Sequence, residues 1–227
     1  MLTTSVPTAC WACNAALIES PLLCSACGKV QPASSADYFQ VFGLERKLGI
    51  DTALLERAFH RLSRKLHPDR FARASAEEQQ WSLASTALLN DAYRTLRDPI
   101  QRTEYLLRLE GLKIGEEHAG KGKSADRQPP ADLLEEVFEL NMQLEEMRMN
   151  QKMGANDLAL QADLTTARRK FESLLAEVDS DLAVQGAEWD AGDTAIREKA
   201  ANTMAALLDR RRYLRNLVRD VNEVLGA

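Results

Sequence analysis

Hydrophobic positions in most of this chain recur at three- and four-residue intervals, which is the period of an amphipathic α-helix. The clearest pattern follows Asp51, where the apolar positions share one side of a helix: Leu55, Ala58, Phe59, Leu62 and Leu66. Basic residues gather on the opposite side: Arg57, Arg61 and Arg64. We therefore predict a helix that is capped by Asp51 and runs to about Leu66, with one side for a core and one basic side for an acidic partner.

The motif His67-Pro68-Asp69 follows this helix directly. Pro68 disfavours a helical conformation for the preceding residue and has no amide hydrogen to donate, so the helix is predicted to stop there. This ending leaves His67 and Asp69 on an exposed turn.

A second long helix is predicted from Ser75, which forms a capping-box pattern with Glu78, to about Arg97. Its apolar positions at helical spacing are predicted to face the core: Trp81, Ala84, Leu88, Ala92 and Leu96. The two helices and the turn between them should fold back on themselves as a hairpin.

Shorter helices flank this hairpin. Residues 38–44 predict a first short helix whose Phe39, Phe42 and Leu44 fill the core. On the other side, Pro99 stands at the first position of a helix that ends before Gly111.

The last third of the chain predicts three long helices with short breaks between them. Their approximate spans are 131–152, 157–185 and 193–225. Long amphipathic helices joined by short loops favour an antiparallel bundle. The polar stretch 113–128 predicts a flexible connection before this bundle.

The first helix of the predicted bundle has two apolar stripes. One stripe should face the bundle: Leu133, Val137, Leu140, Leu144 and Met147. The other, made of Leu134, Phe138 and Met142, lies roughly 140° away and is bordered by glutamates at 135, 139, 145 and 146. A second stripe with an acidic rim predicts a binding patch, although two neighbouring helices that bury a wide arc would also explain it.

Four cysteines occur as two CxxC pairs near the start of the chain: Cys10, Cys13, Cys24 and Cys27. Two such turns can present four thiolates to one ion, which predicts a closed, structural zinc site. Iron in the same sulfur cage and a redox dithiol are the alternatives. Gly28, just after the second pair, suits a turn with positive φ.

Composition narrows the class of protein further. The net charge of -5 argues against a general binder of nucleic acid or membrane surfaces, and the sparse Gly, Pro and aromatic content favours helices. No apolar run is long enough for a membrane helix, and the first nine residues contain no basic side chain. We therefore expect neither an export signal nor a mitochondrial presequence. The expected location is the cytoplasm, with the mitochondrial matrix as the alternative for a eukaryotic source.

The segments DYFQVFGL, KLHPDRF and LNDAYRTLRDPIQRTEYLL resemble the DnaJ-type J-domain, and with the helical last third they resemble the HscB co-chaperones of iron-sulfur cluster assembly. The resemblance covers nearly the whole chain from Asp37 onward. It implies an all-α protein in four parts: a metal-binding module with its linker at 1–36, a J-domain at 37–111, a linker at 112–130 and a three-helix scaffold-binding domain at 131–227.

The resemblance also implies two partners and no enzymatic activity. A DnaK/HscA-class heat-shock chaperone, whose ATPase is stimulated, would contact the loop and the basic face: His67, Pro68, Asp69, Arg57, Arg61, Arg64 and Lys65. An IscU-type iron-sulfur scaffold protein would contact the second surface: Leu134, Phe138, Glu139, Met142, Glu146 and Tyr213. Two positions depart from the family pattern, because Glu135 stands where an apolar residue is expected and Met142 where an acid is expected.

Two other functions are compatible with parts of the sequence. A hydrolase or redox enzyme could use His67 with Asp69, or the cysteines, but no Ser or Cys nucleophile motif accompanies this histidine. A zinc-ribbon adaptor of transcription or RNA would need a basic patch, and Lys29 alone lies near the cysteines.

Overall fold

The structure is a computed structural model that describes residues 9–32, 35–112, 114, 131–155 and 157–226. Within these ranges the chain forms seven α-helices and no β-strand, which confirms the predicted all-α fold. The predicted connection at 113–128 lies outside the described residues except for residue 114. The chain divides into two compact units, Met1–Leu106 and Leu107–Ala227.

The helices of the first part of the chain begin where their capping residues predict. They are α1 (Tyr38–Val41), α2 (Thr52–Leu66), a 3-10 turn (Pro68–Phe71), α3 (Ala76–Arg97) and α4 (Pro99–Leu109). The Asp51 carboxylate accepts hydrogen bonds from the amides of Ala53 and Leu54, at 2.9 and 3.0 Å. Ser75 Oγ accepts from the Glu78 amide, so both predicted caps of the hairpin are present.

Helices α2 and α3 form the predicted antiparallel hairpin. At one end the rings of Phe59 and Tyr93 stack with centroids 4.1 Å apart. At the other end Ser82 Oγ donates a hydrogen bond to the Leu66 carbonyl oxygen, at 2.6 Å. The apolar side of α2 is buried at Leu55, Leu62 and Leu66, and Phe39 of α1 is buried in the same unit.

The predicted core stripe of α3 is partly wrong. Ala84 is exposed, and Trp81 and Leu88 are only half-buried. The buried positions of the helix include two serines and a glutamate: Glu78, Ser82, Ser85, Leu89, Ala92 and Leu96. A pattern that counts only apolar residues does not predict that small serines are buried where α3 packs closely against a neighbouring helix. Trp81 instead packs edge to face against Trp11, with ring centroids 5.7 Å apart.

The second unit contains the predicted three-helix bundle. Its helices are α5 (Leu134–Lys152), α6 (Leu158–Ala191) and α7 (Thr194–Leu225). Helices α6 and α7 are antiparallel, since Arg211 pairs with Asp179 at 2.5 Å while Arg168 donates to the Asn222 side chain at 3.1 Å. Helix α5 packs against both neighbours and pairs with α6 through Glu136 and Lys170, at 3.0 Å. None of the helices in the described ranges is long and apolar enough to cross a lipid bilayer.

Helix α6 does not end near Gln185 as predicted. It continues through Gly186 to Ala191, because Gly186 and Trp189 extend its buried side. A glycine inside a helix costs about 1 kcal/mol relative to alanine, whereas burial of a large apolar side chain contributes about 1.5 to 3 kcal/mol. The turn comes instead at Gly192, and Asp193 caps α7.

Candidate functional site

The His67-Pro68-Asp69 loop displays its polar groups to solvent. The His67 and Asp69 side chains are 56% and 90% exposed. His67 Nδ1 accepts a hydrogen bond from the Asp69 amide at 3.3 Å and so caps the short 3-10 turn. Because Nδ1 is the acceptor, the neutral imidazole has its proton on Nε2, which is left as a donor. The loop therefore presents a ring, an N–H donor and a carboxylate side by side.

Helix α3 fixes the position at which this loop starts. The carbonyl oxygen of Leu66, the last residue of α2, accepts from Ser82 Oγ at 2.6 Å and from Thr86 Oγ1 at 3.2 Å. After the loop, Phe71 is buried and anchors the far end of the 3-10 turn. The His67 and Asp69 side chains are thus exposed, whereas the backbone on both sides of the motif is held by hydrogen bonds and packing.

We expect Ser82→Ala to destabilise the hairpin by about 1 to 2 kcal/mol, because a buried carbonyl loses its shorter partner. Ser85→Ala is the matched control: Ser85 is also buried on α3, but its hydroxyl has no hydrogen-bond partner among the described residues. That variant should change stability by less than about 0.5 kcal/mol. Urea unfolding measures the free energy of unfolding of both variants. Equal losses of stability would show that the packing of the serine side chain matters and that the Ser82 hydrogen bond does not.

A basic surface lies beside the loop on α2. The side chains predicted to form it are all exposed: Arg57, Arg61, Arg64 and Lys65. Arg61 lies 3.7 Å from the carboxylate of Glu19, and Arg64 Nε donates to the His60 carbonyl at 3.2 Å. The basic residues therefore lie along the exposed side of the helix that leads into the loop, with Arg64 and Lys65 nearest to it.

The second stripe of α5 is on the surface of the bundle. Leu134, Phe138 and Met142 are 52%, 69% and 61% exposed, and Glu139 and Glu146 are exposed beside them. The other stripe of the helix is buried: Leu133, Val137, Leu140, Leu144 and Met147. Neighbouring helices in the described part of the chain therefore bury only one of the two stripes.

Tyr213 does not share this exposure. Its side chain is 5% exposed, and its hydroxyl has no hydrogen-bond partner in the described part of the chain. Burial raises the pKa of Tyr213, and the nearby Asp220 carboxylate raises it further. Of the six residues that the resemblance assigns to the scaffold surface, this one lies in the bundle interior.

The four cysteines meet in one cluster that can hold a metal ion. Their sulfur atoms all lie within 4.8 Å of one another. The Sγ atoms of Cys10 and Cys27 are 3.6 Å apart, and those of Cys13 and Cys24 are 3.7 Å apart. Sulfurs at 2.3 Å from a tetrahedral zinc ion are separated by about 3.8 Å, so this donor set fits such an ion.

The two CxxC turns have the same backbone geometry. The Asn14 amide donates to the Cys10 carbonyl and the Gly28 amide to the Cys24 carbonyl, both at 2.9 Å. Both residues have positive φ, 59° for Asn14 and 73° for Gly28. The sequence predicted this turn at Gly28. Asn14 was missed, although asparagine is among the few residues besides glycine that adopt this conformation readily.

Gln31 is a residue of the metal site that sequence reasoning missed. No motif points to it, yet it is fully buried and its Nε2 lies 3.4 Å from Cys10 Sγ, to which it donates a hydrogen bond. The Ala12 amide donates to the same sulfur at 3.4 Å. Donors to a thiolate stabilise its negative charge, and only the folded turn shows which residues supply them.

The thiols differ in acidity. Burial raises the pKa of Cys10, but hydrogen bonds from the Ala12 and Cys13 amides and from Gln31 outweigh it and bring it to about 6. The Lys29 amide lowers the pKa of Cys27, but burial and the other three thiols raise it to about 12. Four thiolates so close together need a cation to offset their repulsion.

The cysteine module packs onto the hairpin within the first unit. Lys29 Nζ lies 2.7 Å from the carboxylate of Glu78, near the start of α3, and this hydrogen bond lowers the pKa of Glu78. Gly43 has a φ of 65°, and a Cβ there would lie 2.8 Å from the Glu19 carbonyl oxygen. The backbone of the module therefore approaches the loop after α1 closely.

Comparison with known proteins finds similarity to the DnaJ domain and to HscB co-chaperones. The family model of the DnaJ domain matches residues 37–105. A co-chaperone protein HscB homolog of Vibrio cholerae (strain M66-2) is 33% identical over 162 residues, which cover 71% of this chain and 88% of the relative. The iron-sulfur cluster co-chaperone protein HscB of Mus musculus is 30% identical over 217 residues, which cover 94% and 81%.

Two solved structures share the fold. The human co-chaperone protein HscB aligns with a TM-score of 0.64 at 25% identity and covers 95% of this chain and 97% of that one. The chaperone HscB from Vibrio cholerae aligns with a TM-score of 0.54 at 25% identity and covers 83% and 97%.

Proposed function

Because this chain belongs to the HscB family of J-domain co-chaperones, we propose that it stimulates ATP hydrolysis by a DnaK/HscA-class heat-shock chaperone and delivers an IscU-type iron-sulfur scaffold protein to it. The observation that supports the chaperone half is the exposed His67-Pro68-Asp69 loop, held rigidly next to a basic helix face. The loop would act on the chaperone as a docked surface and would carry out no chemistry of its own.

The basic face would bring the acidic chaperone surface to the loop. Arg57, Arg61 and Arg64 are exposed on the helix that leads into the motif. Charges of this kind raise association rates over distances of about 10 Å, and salt weakens their effect. Stimulation of the chaperone should therefore need a higher co-chaperone concentration as ionic strength rises.

The exposed stripe of α5 supports the scaffold half of the proposal. Leu134, Phe138 and Met142 offer apolar area on the surface, and Glu139 and Glu146 would pair with basic groups of the scaffold. Since Tyr213 is buried, we propose that it supports the bundle behind this surface without touching the scaffold.

We propose that the metal of the cysteine module is zinc and that it is structural. Zinc favours the closed tetrahedral shell that four thiolates provide, and such a shell leaves no position open for a substrate. When bound, the ion supplies only the cross-link that orders the two CxxC turns.

Single-turnover ATP hydrolysis by a DnaK/HscA-class chaperone tests both halves of the proposal. The rate is measured with this chain alone, with an IscU-type scaffold protein alone, and with both. We expect stimulation by the chain and a larger, synergistic stimulation by the pair. No stimulation by the chain would contradict the chaperone half, and simple additivity would contradict the delivery half.

The double variant Leu134→Ala, Phe138→Ala should weaken scaffold binding by roughly 100-fold, because it removes two of the apolar contacts on the exposed stripe. Stimulation of the chaperone without scaffold should stay at the parent level. Val184→Ala with Ile196→Ala is a matched control, since both residues are exposed apolar positions of the bundle outside α5. Calorimetric titration measures the affinity of each variant for the scaffold. If the Leu134→Ala, Phe138→Ala variant bound the scaffold as tightly as the parent does, the exposed stripe of α5 would not be the docking surface.

A further inference from the structure

The exposed apolar stripe of α5 does not stop at Met142. Met149 and Met153 are 60% and 70% exposed, the second being the C-cap residue of the helix. At 100° per residue, both fall with Leu134, Phe138 and Met142 in one arc of about 100°. This arc is centred on the side of the helix opposite the buried stripe.

Isolated exposed apolar residues are ordinary on a protein surface. Here the row runs from Leu134 to Met153, which is about 28 Å along a helix axis. It occupies one face of a helix whose other face already supplies the core of the bundle. The C-terminal half of the row therefore has no structural task within the described residues.

The size of a stable interface argues that docking extends along this row. A standard protein interface buries about 800 Å² on each partner. Leu134, Phe138 and Met142 span only about 12 Å of helix, and the buried Tyr213 adds no exposed area to them. Further contact area must come from elsewhere on this surface, and Met149 and Met153 continue it in line.

The charges along the row define its occupant. Exposed glutamates border it on one edge: Glu135, Glu139 and Glu146. Glu145 lies toward the other edge, where Arg148 pairs with it at 2.7 Å. The exposed Lys152 also lies toward that second edge, so only the first edge is acidic. A partner with an apolar strip and basic side chains along one side would complement this arrangement.

We propose that Met149 and Met153 extend the scaffold-docking surface over the full length of α5, so that the scaffold contacts it with an apolar strip that has basic residues along the side facing Glu135, Glu139 and Glu146. This inference rests on the proposed delivery function. Methionine suits such a role, because its unbranched, polarisable side chain adapts to irregular partner surfaces.

Calorimetric titration of the full-length chain with an IscU-type scaffold protein tests the extension. The variant Met149→Ala, Met153→Ala should bind roughly tenfold more weakly. The variant Met149→Leu, Met153→Leu keeps apolar area at both positions and should bind within about twofold of the parent. The control variant Val184→Ala, Ile196→Ala should bind like the parent.

The outcomes separate this inference from the function on which it rests. Parent affinity for the methionine-to-alanine variant, with weakened binding for Leu134→Ala, Phe138→Ala, would overturn the extension alone. Parent affinity for both variants would overturn the docking function as well. Unchanged scaffold affinity with a shift in sedimentation toward monomer would assign the methionines to self-association and overturn the extension.

Discussion

His67→Gln is expected to abolish stimulation of the chaperone ATPase and to leave the fold intact. The His67 side chain is more than half exposed and packs into no core, so its loss should cost little stability. What disappears is the imidazole, whose Nε2–H is left free to meet the chaperone because Nδ1 accepts from the Asp69 amide. Single-turnover hydrolysis gives the activity, and circular dichroism with thermal unfolding gives the fold.

Two controls show which property of His67 matters. His60→Gln makes the same change at another exposed histidine of α2, outside the motif, and should stimulate like the parent. His67→Asn keeps a side-chain oxygen that can cap the 3-10 turn, as histidine does now, but has no ring. We expect it to be inactive. If it stimulated fully, His67 would act only by shaping the loop, and contact through the imidazole would be wrong.

The hairpin and its loop could be predicted because their signals are local. Asp51 and Ser75 cap the helices that they were expected to cap, and Pro68 ends α2 where its ring forbids continuation. Each of these effects acts within about four residues along the chain. The same holds within each CxxC turn, whose two cysteines are three residues apart.

The features that were not predicted depend on contacts between distant segments. Gln31 has no signal in the sequence, because its hydrogen bond to Cys10 forms only once the two turns have met. The burial of Ser82 could not be predicted from its polarity, because its hydroxyl is buried in a hydrogen bond to a residue of α2. Gly186 favours a helix end in the sequence, and only the packed bundle shows that Trp189 is buried beyond it.

Tyr213 and the methionines of α5 illustrate the same limit for function. The resemblance implies an aromatic contact with the scaffold at Tyr213, which is buried in the structure. On a helix with a wide apolar arc, the sequence does not distinguish an apolar residue that is buried from one that is exposed. Conversely, Met149 and Met153 lie beyond the stretch that the resemblance assigned, and only their exposure in the structure suggested the proposed extension.

Cys24→Ser is expected to release the metal and to loosen the cysteine module while the helices remain. Cys24 is 1% exposed, and its sulfur lies 3.7 Å from that of Cys13. A serine hydroxyl is a poor replacement for a thiolate ligand, and a module of this size has little core of its own. Metal binding contributes on the order of 10 kcal/mol to the folding of such modules, so losing one ligand should unfold it.

Ser25→Ala is the matched control, because Ser25 is exposed within the same CxxC turn and supplies no sulfur. Native mass spectrometry should find one metal ion per chain in the parent and control and none in Cys24→Ser, and its mass identifies zinc or iron. In Cys24→Ser, amide hydrogen exchange should become faster at residues 9–32. It should also become faster at the start of α3, because the unfolded module no longer holds Lys29 next to Glu78. Full metal occupancy in Cys24→Ser would exclude the four-sulfur site. Lost metal with unchanged exchange would show that the module folds without it, and the ion would then need a role other than a structural one.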